Sequence, residues 1–363
     1  MAECKRQHYL PKFYFKLFSK RGFVEVYDVR DKKFHPGSCK DLCAEDWFYS
    51  KDAQIEKCFS RLEQDFSRIL NKIIDTNDIN QLTDREYYLL LLFLVFQNAR
   101  TAKGKELAED FVNYLIQDLY KDLLKKNVGK QPWITENFIE THQMPTISGP
   151  SHAIALMNSF ETGALLISDL TPIIFINNTA REFIFSDSPV VFYNSFFNHR
   201  DGSGSSGIQA HGLQIFCPLN SRKMLMLYDS RYYSFKSSTN IVCITSESDI
   251  DAINSLQFFN CREWIFFADR NQSKTIELLH SGLENFINDD YYGMDKYSIH
   301  DPSGLNKEFV LTFKKDIDYT LAGRLSFMFF KFPTKIVGPF NFRDDKLVRF
   351  AEQKGRTHEY KTT

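Results

Sequence analysis

From Gln54 onward, apolar residues recur at three- and four-residue intervals: Ile55, Cys58, Phe59, Leu62, Phe66, Ile69, Leu70 and Ile73. At about 100° per residue they form one stripe, which predicts an amphipathic helix lying on a core. The next helix opens at Thr83-Asp84-Arg85-Glu86. Thr83 suits an N-cap, and Glu86 three residues later completes a capping box. Tyr87 to Phe96 is apolar on every face, as expected of a central helix, and polarity returns abruptly at Gln97-Asn98 and Arg100. Residues 105–126 read as a further amphipathic helix. Ser148-Gly149-Pro150-Ser151 is a break and cap before a helix expected over Ala153 to Asp169.

Elsewhere the period shortens. Phe23 to Tyr27 alternates apolar and polar after Gly22, which suits a half-buried strand, while residues 30–50 are turn-rich. Beyond Leu170 come short strand-like runs: 172–176, 182–185, 190–192, 213–216, 223–227 and 241–244. The Gly- and Ser-rich stretch from Asn198 to Gly212 reads as a mobile loop. Ser246-Glu247-Ser248-Asp249 caps a helix expected to reach about Phe267. The pattern predicts an α+β fold, with a helical N-terminal half packed on a mixed or antiparallel β-sheet from the central region. One domain is expected over residues 1–283, helix-rich over 1–169, strand-rich over 170–245 and helical over 246–283. Residues 284–363 read as a C-terminal extension of different texture.

Composition sharpens this only a little. Of 363 residues, 43% are apolar and 25% charged, which is ordinary globular material. The 35 phenylalanines and 17 tyrosines imply a core built on flat rings. A net charge of −1 lowers the expectation of non-specific duplex binding, which usually shows a marked basic excess. The start lacks an apolar signal core, and the longest apolar run is too short to span a bilayer, so no membrane association is expected. Seven scattered cysteines do not make a disulfide framework and fit a reducing cytoplasm.

Few motifs carry chemistry. His35, Cys39, Cys43 and Cys58 have metal-like residue types, but one Cys-x-x-x-Cys without a second pair argues against structural zinc. Gly202 to Gly207 lacks the Gly-Lys-Ser/Thr of a phosphate loop, and no hydrolase elbow or zinc-protease helix is present. Gln97 and Arg100 share a face with Phe93 and Phe96, so Arg100 should be partly buried and paired; Glu63, at the border of the preceding stripe, is its expected partner. Ser186-Asp187-Ser188-Pro189 follows a strand, where α/β-type folds place ligand groups and where ordinary Asx turns also occur. His8 stands among aromatic residues as a core histidine or a general base.

Taken together, these segments resemble a bacterial family of unknown function, the DUF4238-like proteins. The resemblance rests on the start Gln7-His8-Tyr9-Leu10-Pro11-Lys12-Phe13 with Phe18, on Glu63, and on Gln97, Arg100 and Thr101 as a Gln-x-x-Arg-Thr step. Ser186, Asp187 and Pro189 follow, with Phe185 one residue closer to the serine than in the family pattern, and then Pro218-Leu219. It covers most of residues 7–270. What it implies is that His8, Glu63, Gln97, Arg100 and Asp187 are candidates for one shared polar site.

A histidine, two carboxylates, a glutamine and an arginine could run acid–base hydrolysis, with Arg100 stabilising developing charge. The reading placed first is therefore a hydrolase or nuclease-like effector of a defence or toxin system, acting on nucleic acid or nucleotides, with Mg²⁺ as the candidate cofactor. The alternatives are a non-catalytic nucleotide- or anion-binding module, with the extension engaging a protein partner, and a buried polar network that serves the fold alone.

Overall fold

The computed structural model describes residues 5–49, 51, 53–144, 146, 160–196, 207–237, 239–284, 292–300, 306–314, 325–331, 343, 344, 346, 347 and 350. The fold is α+β. Four helices dominate the first part: α1 (Lys12–Lys16), α2 (Ala53–Thr76), α3 (Asp84–Ala99) and α4 (Ala102–Lys125), followed by the short α5 (Glu136–Thr141). The predicted box at the start of α3 is present: the Glu86 amide donates to the Thr83 hydroxyl, and the Thr83 amide donates to the Glu86 carboxylate. On α2 the stripe buries Phe59, Phe66, Ile69, Leu70 and Ile73, whereas Cys58, assigned to the same stripe, is exposed. It stands one residue before Phe59, about 100° round the helix from it. Thr101 caps α4 by accepting from the Gly104 amide. A Cβ at Gly104 would lie 2.2 Å from the Ala99 carbonyl oxygen, so the α3–α4 corner closes only on glycine.

Two larger sheets carry most of the rest. One is antiparallel, in the order β3 (Lys33–Ser38), β2 (Phe23–Asp28), β12 (Trp264–Phe267), β6 (Phe185–Ser186). The other is mixed, in the order β11 (Ile241–Ile244), β5 (Thr171–Asn177), β9 (Lys223–Tyr228), β8 (Gln214–Asn220), β7 (Val191–Tyr193); only the β11–β5 pair is parallel. The runs in β8 and β9 are apolar without alternation because both faces are covered. Ile215, Cys217, Leu219, Leu225 and Leu227 join a core with α1, α2 and α3. Phe216, Met224 and Met226 join a second core with α6 (Glu247–Asn260) and α7 (Ser273–Leu283). Period-two geometry divides one apolar run between two cores.

The structure corrects several expectations. The helix expected to reach about Phe267 stops at Asn260, and Trp264–Phe267 is instead a strand of the antiparallel sheet. Cys261 is already extended (φ −66°, ψ 145°), and the branched and aromatic run that follows suits a pleated surface. Residues 30–50, read as turn-rich, contain β3 and β4 (Ala44–Asp46), the latter pairing with β1 (Arg6–His8). The expected strand over 182–185 shrinks to the two-residue β6. The break at 148–151, the first part of the helix expected over 153–169, and much of the Gly/Ser loop lie outside the described residues; 160–166 is helical. Beyond 284 a hairpin is formed by β13 (Tyr292–His300) and β14 (Asn306–Lys314), and β15 (Met328–Phe330) pairs with β10 (Tyr233–Phe235). Leu325, Phe327 and Met328 enter the second core. Arg343 is 5% exposed, with its guanidinium on Asp169 at 2.7 and 2.9 Å and on the carbonyls of Leu166, Ile208 and Ala210.

Phe185 joins the antiparallel sheet to the helices. Its ring centroid lies 4.4 Å from Phe18, 5.0 Å from Phe266, 5.5 Å from Tyr14 and 5.6 Å from Phe15. Phe185→Ala should therefore cost about 3–5 kcal/mol of unfolding free energy in urea titrations, and a loss below about 1 kcal/mol would contradict this packing.

Candidate functional site

Two of the candidate residues, Gln97 and Arg100, meet on the backbone of the segment Gln7–Leu10. Strand β1 is only three residues long and gains little from its own ladder. It is held from α3 instead. The Gln97 side-chain amide donates to the Tyr9 carbonyl at 3.1 Å, and the Arg100 guanidinium donates to the His8 carbonyl at 2.6 Å. Gln97 lies on the last turn of α3 and Arg100 is its C-cap, so the polar end of an otherwise apolar helix reaches the strand with two side chains.

Arg100 is 2% exposed and each of its nitrogens has a partner. Nη1 meets the Glu63 carboxylate of α2 at 2.8 Å, Nε donates to the Tyr49 hydroxyl at 2.9 Å, and Nη2 takes the His8 carbonyl. The guanidinium carbon stands 4.9 Å from the Phe96 ring centre and 5.6 Å from those of Tyr49 and Phe59, so three π faces line the charge. Burial alone disfavours the cation; the Tyr49 oxygen and the Glu63 carboxylate outweigh it and hold the arginine above its ordinary pKa. Tyr49, a residue the sequence motifs did not single out, is the second hub. Burial pushes its hydroxyl up to about 12 against the pull of Arg100, and its amide donates to the Gln7 side chain at 2.7 Å.

The side chain of His8 points elsewhere. Its Nε2 donates to the Lys40 carbonyl at 3.0 Å. Burial lowers it to about 4, against that bond and with the charges of Lys12, Arg6 and Arg100, so the ring is neutral near pH 7. Glu63 remains partly exposed, and burial together with the Glu63 charge raises the neighbouring Glu56.

Asp187 lies beyond Tyr9. It is 2% exposed and accepts from the backbone amides of Arg262, Glu263 and Trp264 at 2.8, 2.8 and 3.3 Å. Burial raises its pKa despite these three bonds. It thus fixes the turn that leads into β12. Nearby, burial lowers the pKa of Lys103, whose amine donates to the Phe259 carbonyl at 3.2 Å. His8, Glu63, Gln97 and Arg100 therefore form one continuous network, and Asp187 anchors a second one next to it.

Sequence reasoning also missed the amide ladder of α6. Asn254, Gln257 and Asn260 recur every three residues in the buried second half of this helix, and that repeat was the available signal. Asn254 bonds the backbone of Glu182 and Ile184, Gln257 that of Ser186 and Pro189, and Asn260 that of Ser188 and Val190. The Ser186–Pro189 motif is thus read from two sides. Pro218 has a comparable place, its carbonyl accepting from the Tyr14 hydroxyl. Among the described residues, no group of three or more His, Cys, Asp or Glu side chains is placed to hold a metal ion, and no helix is long and apolar enough to cross a membrane. His35 is exposed, and Cys39 and Cys43 are buried and unbridged.

A family model described as protein of unknown function (DUF4238) matches residues 6–271, and the chain belongs to this family. No curated protein and no solved structure matches it.

The folded His8 pKa lies below the ordinary 6.5, so the unfolded chain takes up the proton first as pH falls. The stability held by neutral His8 is complete above about pH 6.5 and declines towards about 4, by about 1–2 kcal/mol once the ring's partial exposure is discounted. Burial also lowers His280, giving a slope of the same sign, so the contrast between wild type and His8→Gln isolates His8. Urea midpoints measured at about pH 7 and about pH 5 should fall less in His8→Gln than in wild type, and equal falls would contradict a buried neutral His8.

Proposed function

We propose that this member of the family is a non-catalytic interaction module, in which the polar residues of its motifs hold the N-terminal strand and the β12 turn in place. The observation that carries this reading is the engagement of Arg100 and Asp187: three guanidinium nitrogens and both carboxylate oxygens are bonded within the chain. An oxyanion or phosphate would have to displace Glu63, Tyr49 or the His8 carbonyl to reach Arg100, and a cation or donor would have to displace backbone amides to reach Asp187. The alternation of these residues with backbone partners is what a network serving the fold requires. A protein partner engaged through residues 284–363 fits the same reading. So does a cytoplasmic setting, since Cys39, Cys43, Cys58, Cys217, Cys243 and Cys261 are all unbridged.

A second reading is favoured by one feature. Glu56 and Glu63 are both only partly buried beside Arg100, and Glu56 is raised by burial and by its neighbour's charge. A carboxyl raised by burial beside a second carboxylate and an arginine is an arrangement that acid–base hydrolysis can use. On this reading His8, Glu63, Gln97, Arg100 and Asp187 form the catalytic set of a hydrolase or nuclease-like effector, its substrate is a nucleic acid or nucleotide, and Mg²⁺ is the candidate cofactor.

The two readings separate in one set of measurements. The module reading expects Arg100→Lys and Asp187→Asn each to lower stability by about 2–4 kcal/mol, since each strips bonds from a buried charge or its partners. It also expects no turnover of labelled RNA, DNA or nucleotides, with or without Mg²⁺. Turnover by wild type that disappears in Glu63→Gln at an unchanged melting temperature would sink it in favour of the hydrolase.

A further inference from the structure

Residues 325–331 lie along a cleft of the family domain in the manner of a bound peptide. The strand pairing runs antiparallel, Tyr233 with Phe330 and Phe235 with Met328. The Lys236 amide donates to the Phe327 carbonyl at 2.9 Å, and the Lys331 amide to the Tyr232 carbonyl at 2.8 Å. Phe327 and Met328 are both buried, and Phe329 is exposed. Phe327 enters a pocket formed by Phe175 (5.2 Å between ring centres) and Phe235 (6.4 Å). Phe330 lies 5.8 Å from both Phe196 and Tyr233, while Phe329 between them is exposed. Gln214 donates to the Met328 sulfur at 3.3 Å. At the leading end, Asp249 in the first turn of α6 is 2% exposed and accepts from both the amide (2.9 Å) and the hydroxyl (2.6 Å) of Ser326.

Backbone bonds to an added strand, with pockets for alternate side chains, are the features of strand-addition recognition. Every cleft residue named falls inside the family-matched region 6–271, and the occupant falls outside it. We propose that this cleft is a peptide-recognition site for an extended strand of the pattern hydroxyl–aromatic–apolar–any–aromatic, and that Ser326–Phe330 is its occupant in cis, exchanged for such a strand of a partner protein. The proposal rests on the module reading and names the partner's chemistry, at a site separate from the Arg100 network. Asp249 sets the terms of exchange. A buried carboxylate without a donor is strongly unfavourable, so the cleft is refilled rather than left empty, and the incoming strand must bring a serine or threonine.

The test uses the full chain and the labelled peptide Leu-Ser-Phe-Met-Phe-Phe-Lys, followed by fluorescence anisotropy. Phe327→Ala/Phe330→Ala, which weakens the cis occupant, should bind the peptide at least about tenfold more tightly than wild type, where the resident segment competes. A peptide with alanine for serine should lose about tenfold or more in affinity through the Asp249 contact. Ser326→Ala, a milder release of the resident strand, should give an intermediate affinity and guards against misfolding of the double variant. A natively folded variant of either kind that binds no peptide overturns the proposal. So does loss of the cooperative melt in both variants, because the segment would then be core and not ligand. Peptide failure leaves the non-catalytic reading of the Arg100 network standing, and turnover of nucleic acid would remove that reading without altering the peptide result.

Discussion

The guanidinium of Arg100 is a positive charge enclosed by Phe59, Phe96 and Tyr49, and the N-terminal end of the fold is arranged around it. An unpaired charge in such surroundings would destabilise the chain by several kcal/mol. Glu63 neutralises it from α2, and the His8 carbonyl takes one of its remaining donors. The same contacts tie together α2, α3 and β1. A three-residue strand could not hold its place through its own ladder, so its position is set by side chains reaching its carbonyls.

The same device recurs further along the chain. Three amides of α6 bond the backbone from Glu182 to Val190, where irregular chain crosses a buried region, and Asp187 in turn holds the amides leading into β12. Buried backbone groups need partners whether or not they belong to a sheet. Here Asn, Gln, Arg and Asp side chains supply what secondary structure does not. The aromatic contacts of Phe185 and Phe266 then fill the space between these fixed segments.

Much of this was legible in the sequence, and the reasons differ by element. The stripe of α2 and the capping box of α3 were readable because helix period and cap chemistry are local. The Arg100–Glu63 pair was readable because an arginine beside aromatic residues needs a nearby carboxylate. Tyr49 was not readable, because nothing local distinguishes a tyrosine whose hydroxyl meets a guanidinium from any other core tyrosine. Strand β12 reads as helix in the sequence because Trp264-Ile265-Phe266-Phe267 is a short apolar run soon after a helix, and periodicity cannot divide such a run. The part played by residues 325–331 was hidden for a different reason: their pockets are formed by residues distant in the chain.

The pairing of β2 with β12 has a consequence for how the protein is made. Tyr27 on β2 bonds His280 on α7 across 253 positions. At about 5–20 residues per second, a nascent chain waits roughly 10–50 seconds between these two points. For most of that interval Val26 lacks the strand that pairs with it, and the Phe15 ring lacks Phe266. The N-terminal sheet therefore keeps an apolar edge open until residues 264–267 have been made, so its folding is coupled to the synthesis of a segment more than two hundred residues away.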